Sequence, residues 1–448
     1  MKLFGTAGIR GPVGQQVTPE LALSVGRAAA GDGDEFVLGR DGRETGQALA
    51  AAVAAGLESG GATVRRIGEV PTPTLAYASQ GRRGVMVTAS HNPPTDNGLK
   101  LFVDGREYGE DAERRLENRV ADDPEPVAWD AWGTATDLDV IERYREAVVG
   151  YAEEVGASPE GLTVAVDCGN GVGSVAAPQV LRALGAEVRA LNATVDGHFP
   201  GRESKPTPES LTDLRAFVAD GNADIGIGLD GDADRLALVD ADGEVVHEDT
   251  VLAVLAERYV RESEATDPVV LSTPNASARV DERVTAAGGR VERTALGVLH
   301  EGLADVRADG GEETTVVFAA EPWKHVHTGF GDWIDSVVSA AVLVRLVAAS
   351  GLDRLTEPVT ERPYRKANVE CPDGVKADAM GTLETRLPER FPKAAVDTEY
   401  GVRLSFPDAS WVLVRPSGTE PYIRVYAESD EVDTLVTETV TAVERAVN

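Results

Sequence analysis

Short apolar runs alternate with helical segments along most of this chain, and that alternation restricts the fold more than any other feature. Strands are predicted at 36–39 and 63–67, with a helix of small residues at 46–59 between them. Runs of this length are typical of buried strands, and strands that alternate with helices form sheets that the helices cover. With 448 residues, the chain is long enough for about three such domains, or four small ones.

The alternation is interrupted twice. A polar segment with proline, Asp122 to Thr136, predicts a linker, and from about residue 368 short antiparallel strands replace the earlier pattern. The fold class is therefore predicted as α/β, with three consecutive α/β domains followed by a smaller α+β domain. The predicted domain boundaries are 1–136, 137–250, 251–366 and 367–448.

The chain is strongly acidic, with 43 basic against 75 acidic residues and a net charge of −32. This charge argues against nucleic acid and anionic membranes as partners, because both are bound through Lys and Arg. Few of the basic residues are Lys and the acids are dispersed, a composition that predicts a halophilic protein, soluble in concentrated salt. An ordinary acidic protein is the alternative. In either case an anionic ligand needs a local cluster of cations.

The remaining composition predicts a cytoplasmic protein. No apolar run of about 18 residues is present, so no membrane span is expected, and no secretory signal is seen at the N-terminus. The two cysteines, Cys168 and Cys371, are far apart in the sequence and predict neither a disulfide framework nor a metal-binding pair. A monomer or a homodimer is expected.

One polar loop carries a candidate nucleophile. Residues 85–88 indicate a short buried strand, and Asn92 with two prolines ends it, so that Ser90 and His91 lie on a loop at a strand end. Ligands bind at such strand ends in open α/β sheets. A serine hydroxyl needs activation, and His91 is placed to take a proton, with Lys100 ten residues on. A turn that satisfies its own backbone is the alternative.

Three aspartates follow another apolar strand. Asp230, Asp232 and Asp234 stand at alternate positions, and three carboxylates this close are costly unless a cation lies among them. Hard oxygen ligands of this kind suit magnesium. A calcium-binding EF-hand is excluded because Arg235 and Ala241 stand where that loop needs glycine and glutamate. A solvated acidic turn is the other interpretation; Arg235 is expected to contact a phosphate or to hold the loop.

Two loops are rich in groups that bind phosphates and sugars. In residues 4–11 three glycines surround Arg10, and a guanidinium can grip a phosphate with two hydrogen bonds. After an apolar strand at 315–318 comes the mixture of carboxylate, aromatic and cationic side chains that a sugar phosphate needs. Its members are Glu321, Trp323, Lys324, His325 and His327. The two histidines lack a third soft ligand nearby, so a zinc site is not predicted.

A last loop, Arg415 to Pro421, lies between two predicted strands of the final domain. It combines an arginine with two hydroxyls and a glycine, namely Ser417, Gly418 and Thr419. Such a tight loop forms a nest for an anion. A serine–glycine hairpin turn is the alternative.

A competing motif stands in the second predicted domain. Gly171, Gly173 and Ala176 follow a buried strand with the spacing of a dinucleotide-binding loop. The acid expected about twenty residues later is missing from the end of the next strand, and Asp196 comes several residues after it. A tight strand-to-helix turn is therefore the preferred interpretation of these glycines.

These loops together closely resemble those of the α-D-phosphohexomutase superfamily, the phosphoglucomutase and phosphomannomutase enzymes. The serine loop at 88–93 and the metal loop at 230–235 are the most specific, and 4–11 and 415–419 also match. The resemblance spans essentially the whole chain, in the family's order. It implies three α/β/α domains, a C-terminal domain similar to the TATA-binding-protein fold, and a heart-shaped molecule with a central cleft.

The resemblance also implies a mechanism. Ser90 would be carried as phosphoserine, with Mg²⁺ held by Ser90, Asp230, Asp232 and Asp234. The phosphoserine would pass its phosphoryl group to a sugar monophosphate, and the resulting sugar bisphosphate, also the activator, would turn around and return its other phosphoryl group. Positions near the transferring group are matched by Arg10, His91 and Lys100. The loop that holds the other phosphate is matched by Arg415, Ser417, Gly418 and Thr419.

One loop departs from the family pattern. The family's sugar loop usually reads Gly-Glu-x-Ser-Gly-His, where this chain has Ala320 to His325. Glu321 and His325 fit, whereas Trp323 replaces the serine and Lys324 the glycine. The sugar therefore stays open among glucose, mannose, glucosamine and pentose phosphates.

The favoured prediction of function is a hexose phosphate mutase. The alternatives are a phosphopentomutase, a metal-assisted phosphatase that loses the intermediate to water, and a non-catalytic sugar-phosphate sensor. The sensor is disfavoured because the serine and all three aspartates are present.

Overall fold

The computed structural model of the chain describes residues 2–5, 8–417 and 420–447. The chain divides into two compact units. The first consists of Met1–Val251 and Phe318–Leu355, and the second of Leu252–Val317 and Thr356–Asn448. Each unit contains its own sheets and helices.

The strands, in chain order, are β1 (Ile9–Pro12), β2 (Glu35–Arg40), β3 (Thr63–Glu69), β4 (Arg83–Val87), β5 (Asp96–Val103), β6 (Arg106–Glu107), β7 (Ala135–Asp137), β8 (Thr163–Asp167), β9 (Glu187–Leu191), β10 (Ile225–Leu229), β11 (Leu236–Val239), β12 (Val245–Val246), β13 (Asp267–Ser272), β14 (Arg290–Arg293), β15 (Thr314–Glu321), β16 (Lys324–Val326), β17 (Tyr364–Glu370), β18 (Ala395–Asp397), β19 (Val402–Ser405), β20 (Trp411–Pro416) and β21 (Tyr422–Glu428).

The α-helices, in the same order, are α1 (Pro19–Ala29), α2 (Gly46–Ser59), α3 (Thr72–Ala78), α4 (Glu110–Ala121), α5 (Ile141–Glu153), α6 (Ala177–Ala183), α7 (Thr212–Phe217), α8 (Glu248–Glu262), α9 (Ala278–Ala286), α10 (Leu299–Asp309), α11 (Ser336–Ser350), α12 (Leu352–Thr356), α13 (Asp373–Arg390) and α14 (Val432–Val447).

The first unit contains a seven-stranded sheet with the order β1-β5-β4-β2-β3-β7, and β6 pairs with β5. Strand β2 runs parallel to β3 and β4, whereas β5 is antiparallel to β4 and β1. Successive side chains of a strand point to opposite faces. Phe36 and Leu38 therefore join a core with α1, α2 and α4, whereas Val37 joins a second core with α3 and Trp333. Helices bury both faces, as expected for an α/β layer.

A five-stranded sheet in the same unit has the order β12-β11-β10-β8-β9. Strand β8 runs parallel to β9 and β10, and β11 is antiparallel to β10. Every residue of β10 is buried, and the strand ends at Leu229, so that the three aspartates follow at the carboxyl end of a central strand. The chain passes from the second unit into the first within β15, which forms a hairpin with β16.

The second unit combines two kinds of strand pairing. Strands β13 and β14 are parallel, whereas β17-β21-β20-β19-β18 form a five-stranded sheet in which each neighbour is antiparallel. Helices α13 and α14 pack on one face of that sheet through Leu383, Val414 and Val443. This arrangement confirms the predicted α+β domain, and the predicted multi-domain α/β class is confirmed with it. The four domain boundaries stay a prediction.

Helix α3, strand β17 and helix α11 are among the elements that differ from the sequence-based expectation. Helix α3 was not predicted; it has a proline in its first turn, where proline fits a helix. Strand β17 begins at Tyr364, before the predicted change of pattern at 368. Its start was missed because most of its residues are exposed and polar, which conceals the alternation of a strand. The apolar run after the sugar loop predicts a long helix from about Trp333; helix α11 begins at Ser336 instead, because Asp335 caps it by accepting hydrogen bonds from two backbone N–H groups.

Across 2–5, 8–417 and 420–447, no helix has the length and apolar character that a bilayer crossing requires.

Candidate active site

Ser90 lies on the predicted loop after β4, in direct contact with the aspartate cluster. Its side chain is fully buried, and its Oγ donates a hydrogen bond to Asp230 Oδ2 at 2.9 Å and lies 3.3 Å from Asp234 Oδ1. The ring Nδ1 of His91 is 3.5 Å from the same hydroxyl. Ser90 has a φ of 52°, a left-handed conformation that costs about 1–3 kcal/mol and needs firm support from its surroundings.

Arg43 supplies much of that support. It is buried and pairs with Asp41 at 3.0 Å. Its guanidinium donates to four backbone carbonyls of the serine loop, those of Ser90, Asn92, Pro93 and Asp96. Thr88 continues the network, since its Oγ accepts from the Ser90 N–H at 2.8 Å and donates to Asp41 Oδ2 at 2.7 Å. The loop is thus fixed by side-chain to backbone hydrogen bonds rather than by a strand.

The three aspartates form one buried group. Asp230, Asp232 and Asp234 are each buried, and each offers a carboxylate oxygen within 4.8 Å of the others. Asp230 Oδ1 accepts the backbone N–H of Asp234 at 3.0 Å, which folds the loop back on itself. Ala233 has a φ of 58°, and Ser336 at the start of α11 donates to its carbonyl at 2.6 Å.

This donor set fits a divalent cation that prefers oxygen ligands. Asp232 Oδ2 accepts a hydrogen bond from Thr72 at 2.7 Å and lies 3.3 Å from the Thr88 hydroxyl, whereas Asp232 Oδ1 is buried without a hydrogen-bond partner. A buried carboxylate oxygen without a partner is costly. Burial, with the charges of Asp234 and Asp232, raises the pKa of Asp230 well above its usual value. A Mg²⁺ ion would relieve both the orphaned oxygen and the repulsion.

Lys100 is a permanent cation beside this group. Its Nζ lies 2.9 Å from Asp234 Oδ2, 3.5 Å from Glu107 and 3.8 Å from Asp232. Burial alone would lower the pKa of Lys100, but the three carboxylates outweigh burial and raise it above its usual value. In the same way burial would raise the pKa of Asp234, whereas Lys100, Lys324 and Arg235 lower it.

His91 is neutral and is surrounded by cations. Burial, followed by the charges of Arg235 and Arg10, lowers the pKa of His91 to about 2. Arg10 lies on β1, and its Nε and one Nη are buried without a hydrogen-bond partner. Arg235 Nε also has no hydrogen-bond partner, 3.8 Å from Asp234 and 4.0 Å from Asp230. Buried guanidinium groups with free donors are suited to an anion such as a phosphate.

The predicted sugar loop is the tight hairpin between β15 and β16, and its predicted sugar-binding residues lie on different faces of that hairpin. The cross-strand pair Glu321 and Lys324 lies on one face, with 3.5 Å between Lys324 Nζ and Glu321 Oε1 and 3.8 Å between Lys324 Nζ and Asp234 Oδ2. Trp323, with a φ of 77°, packs against the apolar cluster around Leu211.

His325 pairs across the hairpin with Ala320, one position beyond the Glu321–Lys324 pair, and so lies on the opposite face. Its Nδ1 is 3.1 Å from Ser339 Oγ on α11, and His327 Nε2 is 2.8 Å from the same oxygen. Burial lowers the pKa of His325 to about 3. Of the four predicted sugar-binding residues in the hairpin, Glu321 and Lys324 are thus the pair that shares a face with the carboxylate site.

The predicted phosphate loop belongs to the second unit. Arg415 donates to the hydroxyl of Tyr426 at 3.2 Å, and its Nε is buried without a hydrogen-bond partner. Lys376 donates to the carbonyl of Ser417 at 2.7 Å, and Arg424 lies 3.4 Å from Ser417 Oγ. Gly418 and Thr419 lie outside the described residues. The loop therefore gathers cations in an acidic protein, as the anion nest requires.

Several contributors to both regions were not predicted. In the first unit these are Asp41, Arg43, Thr72, Thr88, Glu107 and Ser204, the last of which donates to the Ser90 carbonyl at 3.1 Å. In the second unit they are Lys376, Arg424 and Tyr426. The same rule that located Ser90 would have found some of them, because Asp41, Arg43 and Thr72 also follow parallel strands of the first sheet.

Three segments of the chain match family models of the phosphoglucomutases and phosphomannomutases. Residues 1–126 match alpha/beta/alpha domain I, residues 142–243 match alpha/beta/alpha domain II, and residues 367–445 match the C-terminal domain. These segments make up more than half of the chain and include Ser90, the three aspartates and Arg415.

Named relatives agree with these models over nearly the full length. A phosphopentomutase of Thermococcus kodakarensis is 42% identical over 439 residues, covering 96% of this chain and 94% of the relative. A probable phosphoglucosamine mutase of Methanopyrus kandleri is 42% identical over 440 residues, with the same coverage.

A solved structure shows the same agreement in three dimensions. A phosphoglucomutase/phosphomannomutase family protein from Burkholderia thailandensis superposes with a TM-score of 0.87 at 27% identity, covering 99% of this chain and 97% of that one. With Ser90 seated on the aspartate cluster, these matches show that the chain belongs to the phosphoglucomutase/phosphomannomutase family of the α-D-phosphohexomutase superfamily, whose members are isomerases that transfer phosphoryl groups.

Proposed function

We propose that this enzyme moves a phosphoryl group between the 1- and 6-positions of a hexose phosphate, with Ser90 as the phosphoryl carrier and Mg²⁺ as cofactor. The observation that carries the proposal is the contact of Ser90 Oγ with Asp230 and Asp234, which lie 140 and 144 residues further along the chain. A hydroxyl held against a carboxylate cluster is placed for phosphoryl transfer assisted by a divalent cation. Glucose, mannose and glucosamine phosphates are the candidate substrates.

Mg²⁺ would be held by Asp230, Asp232 and Asp234 together with an oxygen of phosphorylated Ser90. When bound there, it would neutralise charge on the phosphoryl group in transfer. A phosphoserine adds about −1.5 to −2 charge to a region with three carboxylates, and Lys100 supplies one of the permanent cations that balance it.

The proton of the attacking sugar hydroxyl needs an acceptor. Lys100 is held as an ammonium by Asp234, so we assign it to charge neutralisation. His91 is neutral, and we propose it as the acceptor. Burial lowers its pKa most, and the charges of Arg235 and Arg10 lower it further; a bound phosphoryl group would offset those two charges and so raise the pKa of His91.

In the first half-reaction the sugar hydroxyl oxygen attacks phosphorus, the bond from phosphorus to Ser90 Oγ breaks, and a sugar bisphosphate forms. In the second, after the bisphosphate has turned around, Ser90 Oγ attacks its other phosphorus and the bond from that phosphorus to the sugar oxygen breaks. The sugar oxygen takes the proton back from His91, the isomerised sugar monophosphate leaves, and the serine is phosphorylated again. We propose that Arg415 and Ser417, with Gly418 and Thr419, bind a phosphate group of the substrate, and that Lys376 holds the loop in shape.

The test has two parts. The intact mass of the purified protein is expected to include one phosphate group, and Ser90→Ala is expected to lack it. Protein supplied with a sugar 1-phosphate, Mg²⁺ and a trace of sugar bisphosphate should yield the isomerised sugar phosphate. Inorganic phosphate as the main product would support the phosphatase alternative instead.

A phosphopentomutase is the second candidate, because the relative from Thermococcus kodakarensis carries that name. A panel of hexose and pentose 1-phosphates compared by kcat/KM separates the two, since the ratio of kcat/KM values measures discrimination. A pentose phosphate preferred over each hexose phosphate would favour the second candidate.

A further inference from the structure

Lys324 stands where the family's sugar loop usually has glycine, and it places a charged side chain at the reacting centre. It is buried, with 8% of its surface exposed. Its Nζ lies 3.8 Å from Asp234 Oδ2, and Asp234 Oδ1 in turn lies 3.3 Å from Ser90 Oγ. A sugar hydroxyl that reacts at Ser90 must therefore come close to this ammonium.

The carboxylate that could receive a positively charged substrate group is already paired. Glu321 Oε1 is 3.5 Å from Lys324 Nζ, and both residues lie on the same face of the hairpin. The other acids near Ser90 are engaged by Lys100, Thr72 and Arg235, and they are the candidate ligands of Mg²⁺. A substrate ammonium would thus meet a cation without gaining a free carboxylate.

The neighbouring cations also disfavour the binding of a substrate ammonium. Arg10 and Arg235 both have buried nitrogens without hydrogen-bond partners, and both contribute to the low pKa of His91, as does Lys324. Such a surface attracts phosphate and hydroxyl oxygens and repels an ammonium. A hydroxyl, in contrast, can accept from Lys324 and donate to Glu321, so that the pair suits adjacent hydroxyls of a neutral sugar.

We propose that Lys324 is a specificity-determining residue that selects phosphates of neutral, fully hydroxylated sugars over phosphates of amino sugars. The inference rests on the proposed phosphosugar mutase function and narrows its substrate class. Two like charges about one sugar ring apart in a partly buried site repel each other enough to reduce kcat/KM about tenfold.

The experiment compares glucose 1-phosphate, mannose 1-phosphate and glucosamine 1-phosphate as substrates of the full-length protein with Mg²⁺. The native protein should show a kcat/KM for glucosamine 1-phosphate at least about tenfold below that for the better neutral hexose phosphate. Lys324→Met keeps the length and apolar stem of the side chain but removes the charge, and it should reduce that ratio about tenfold. Lys393→Met, at an exposed lysine, is the matched control and should leave the ratio unchanged.

The inference would be overturned if the native protein prefers glucosamine 1-phosphate, or if Lys324→Met leaves the ratio of kcat/KM values unchanged. Either result would leave the mutase function intact. If Lys324→Met is unfolded or inactive, inhibition of the native protein decides: glucosamine 1-phosphate must compete with glucose 1-phosphate about tenfold more weakly than mannose 1-phosphate does. Protein that isomerises none of the three, and no pentose phosphate, would instead contradict the proposed function and the inference together.

Discussion

The serine site of the first unit and the Arg415 loop of the second are both proposed to bind phosphate, but they differ in how their charged groups are paired. In the serine site buried cations and carboxylates lie together: Lys100 pairs with Asp234, and Ser90 donates to Asp230. Asp232 Oδ1 and nitrogens of Arg10 and Arg235 keep no hydrogen-bond partner there. In the loop Arg415 retains a buried nitrogen without a hydrogen-bond partner. We propose that the first arrangement fixes the reacting atoms, and that the second offers hydrogen-bond donors to a phosphate that binds and dissociates.

The difference extends to exposure. The side chain of Lys100 is 1% exposed, whereas that of Arg424, beside the loop, is 21% exposed. Interactions between buried charges are strong and little affected by salt, and those near the surface are weaker and screened. We therefore expect substitutions in the serine site to act on kcat and substitutions in the loop to act on KM.

The largest expected difference in kinetics is between substitutions of two serines, one in each region. Ser90→Ala should reduce kcat at least about a thousandfold, because it removes the proposed phosphoryl carrier. Ser417→Ala removes one hydroxyl from the anion loop and should raise KM a few-fold with kcat nearly unchanged. Steady-state kinetics with a sugar 1-phosphate measure both. Equal losses of kcat in the two variants would remove the distinction between the regions.

Arg415 tests the loop more strongly. Arg415→Ala should raise KM for a sugar 1-phosphate about ten- to a hundredfold, because a hydrogen bond to a charged group contributes about 1.5–3 kcal/mol. Arg390→Gln is the control, since Arg390 is half-exposed in the same unit and pairs with Glu438. A fall in kcat with KM unchanged would mean that the loop acts on the chemical step.

Thr72 should influence the metal without contacting it. Its Oγ donates to Asp232 Oδ2 at 2.7 Å, which leaves Asp232 Oδ1 free for a cation, and its backbone N–H donates to the Asp232 carbonyl at 2.9 Å. Loss of such a partner typically weakens metal affinity at least about tenfold. Titration calorimetry with Mg²⁺ should therefore show weaker binding to Thr72→Val and recovery in Thr72→Ser.

Thr74 provides the control on the same helix. Its hydroxyl is buried but has no hydrogen-bond partner, so Thr74→Val should leave Mg²⁺ affinity unchanged. Unaltered affinity in Thr72→Val, with the protein folded, would show that the Thr72 hydrogen bond does not orient Asp232.

The sequence was most informative where an apolar strand leads directly into a polar loop. Ser90 and the three aspartates were predicted because each group follows such a strand, and strand ends are where open sheets bind ligands. Their mutual contact spans 140 residues, and periodicity carries no information over that range. Arg43 and Thr72 also follow strands and could have been found by the same rule, but their partners in the site, 47 and 160 residues away, could not.

The sugar loop shows where residue type alone misleads. Glu321, Trp323, Lys324 and His325 looked like one binding group, but the tight turn with Trp323 in a left-handed conformation directs them to different faces. Left-handed residues in turns are usually glycine or asparagine, so nothing in a Pro-Trp pair indicates this register. The charge of Lys324 was visible in the sequence, whereas its pairing with Glu321 depends on the turn.

Salt concentration should affect the two regions differently, and this is the smallest of the predicted effects. Raising KCl from about 0.1 M to 2 M shortens the Debye length to about 3 Å or less, which reduces the self-repulsion of a chain with a net charge of −32. The midpoint of thermal unfolding should therefore rise.

Over the same range of KCl concentration, KM for a sugar 1-phosphate should increase a few-fold, because the partly exposed cations of the loop are screened, whereas kcat should change less. The salt dependence of KM should flatten in Arg415→Gln, which lacks the main charge of the loop. An unfolding midpoint that falls with salt would contradict the halophilic interpretation of the acidic composition, and a kcat that falls more steeply than KM rises would place the screened charges in the serine site.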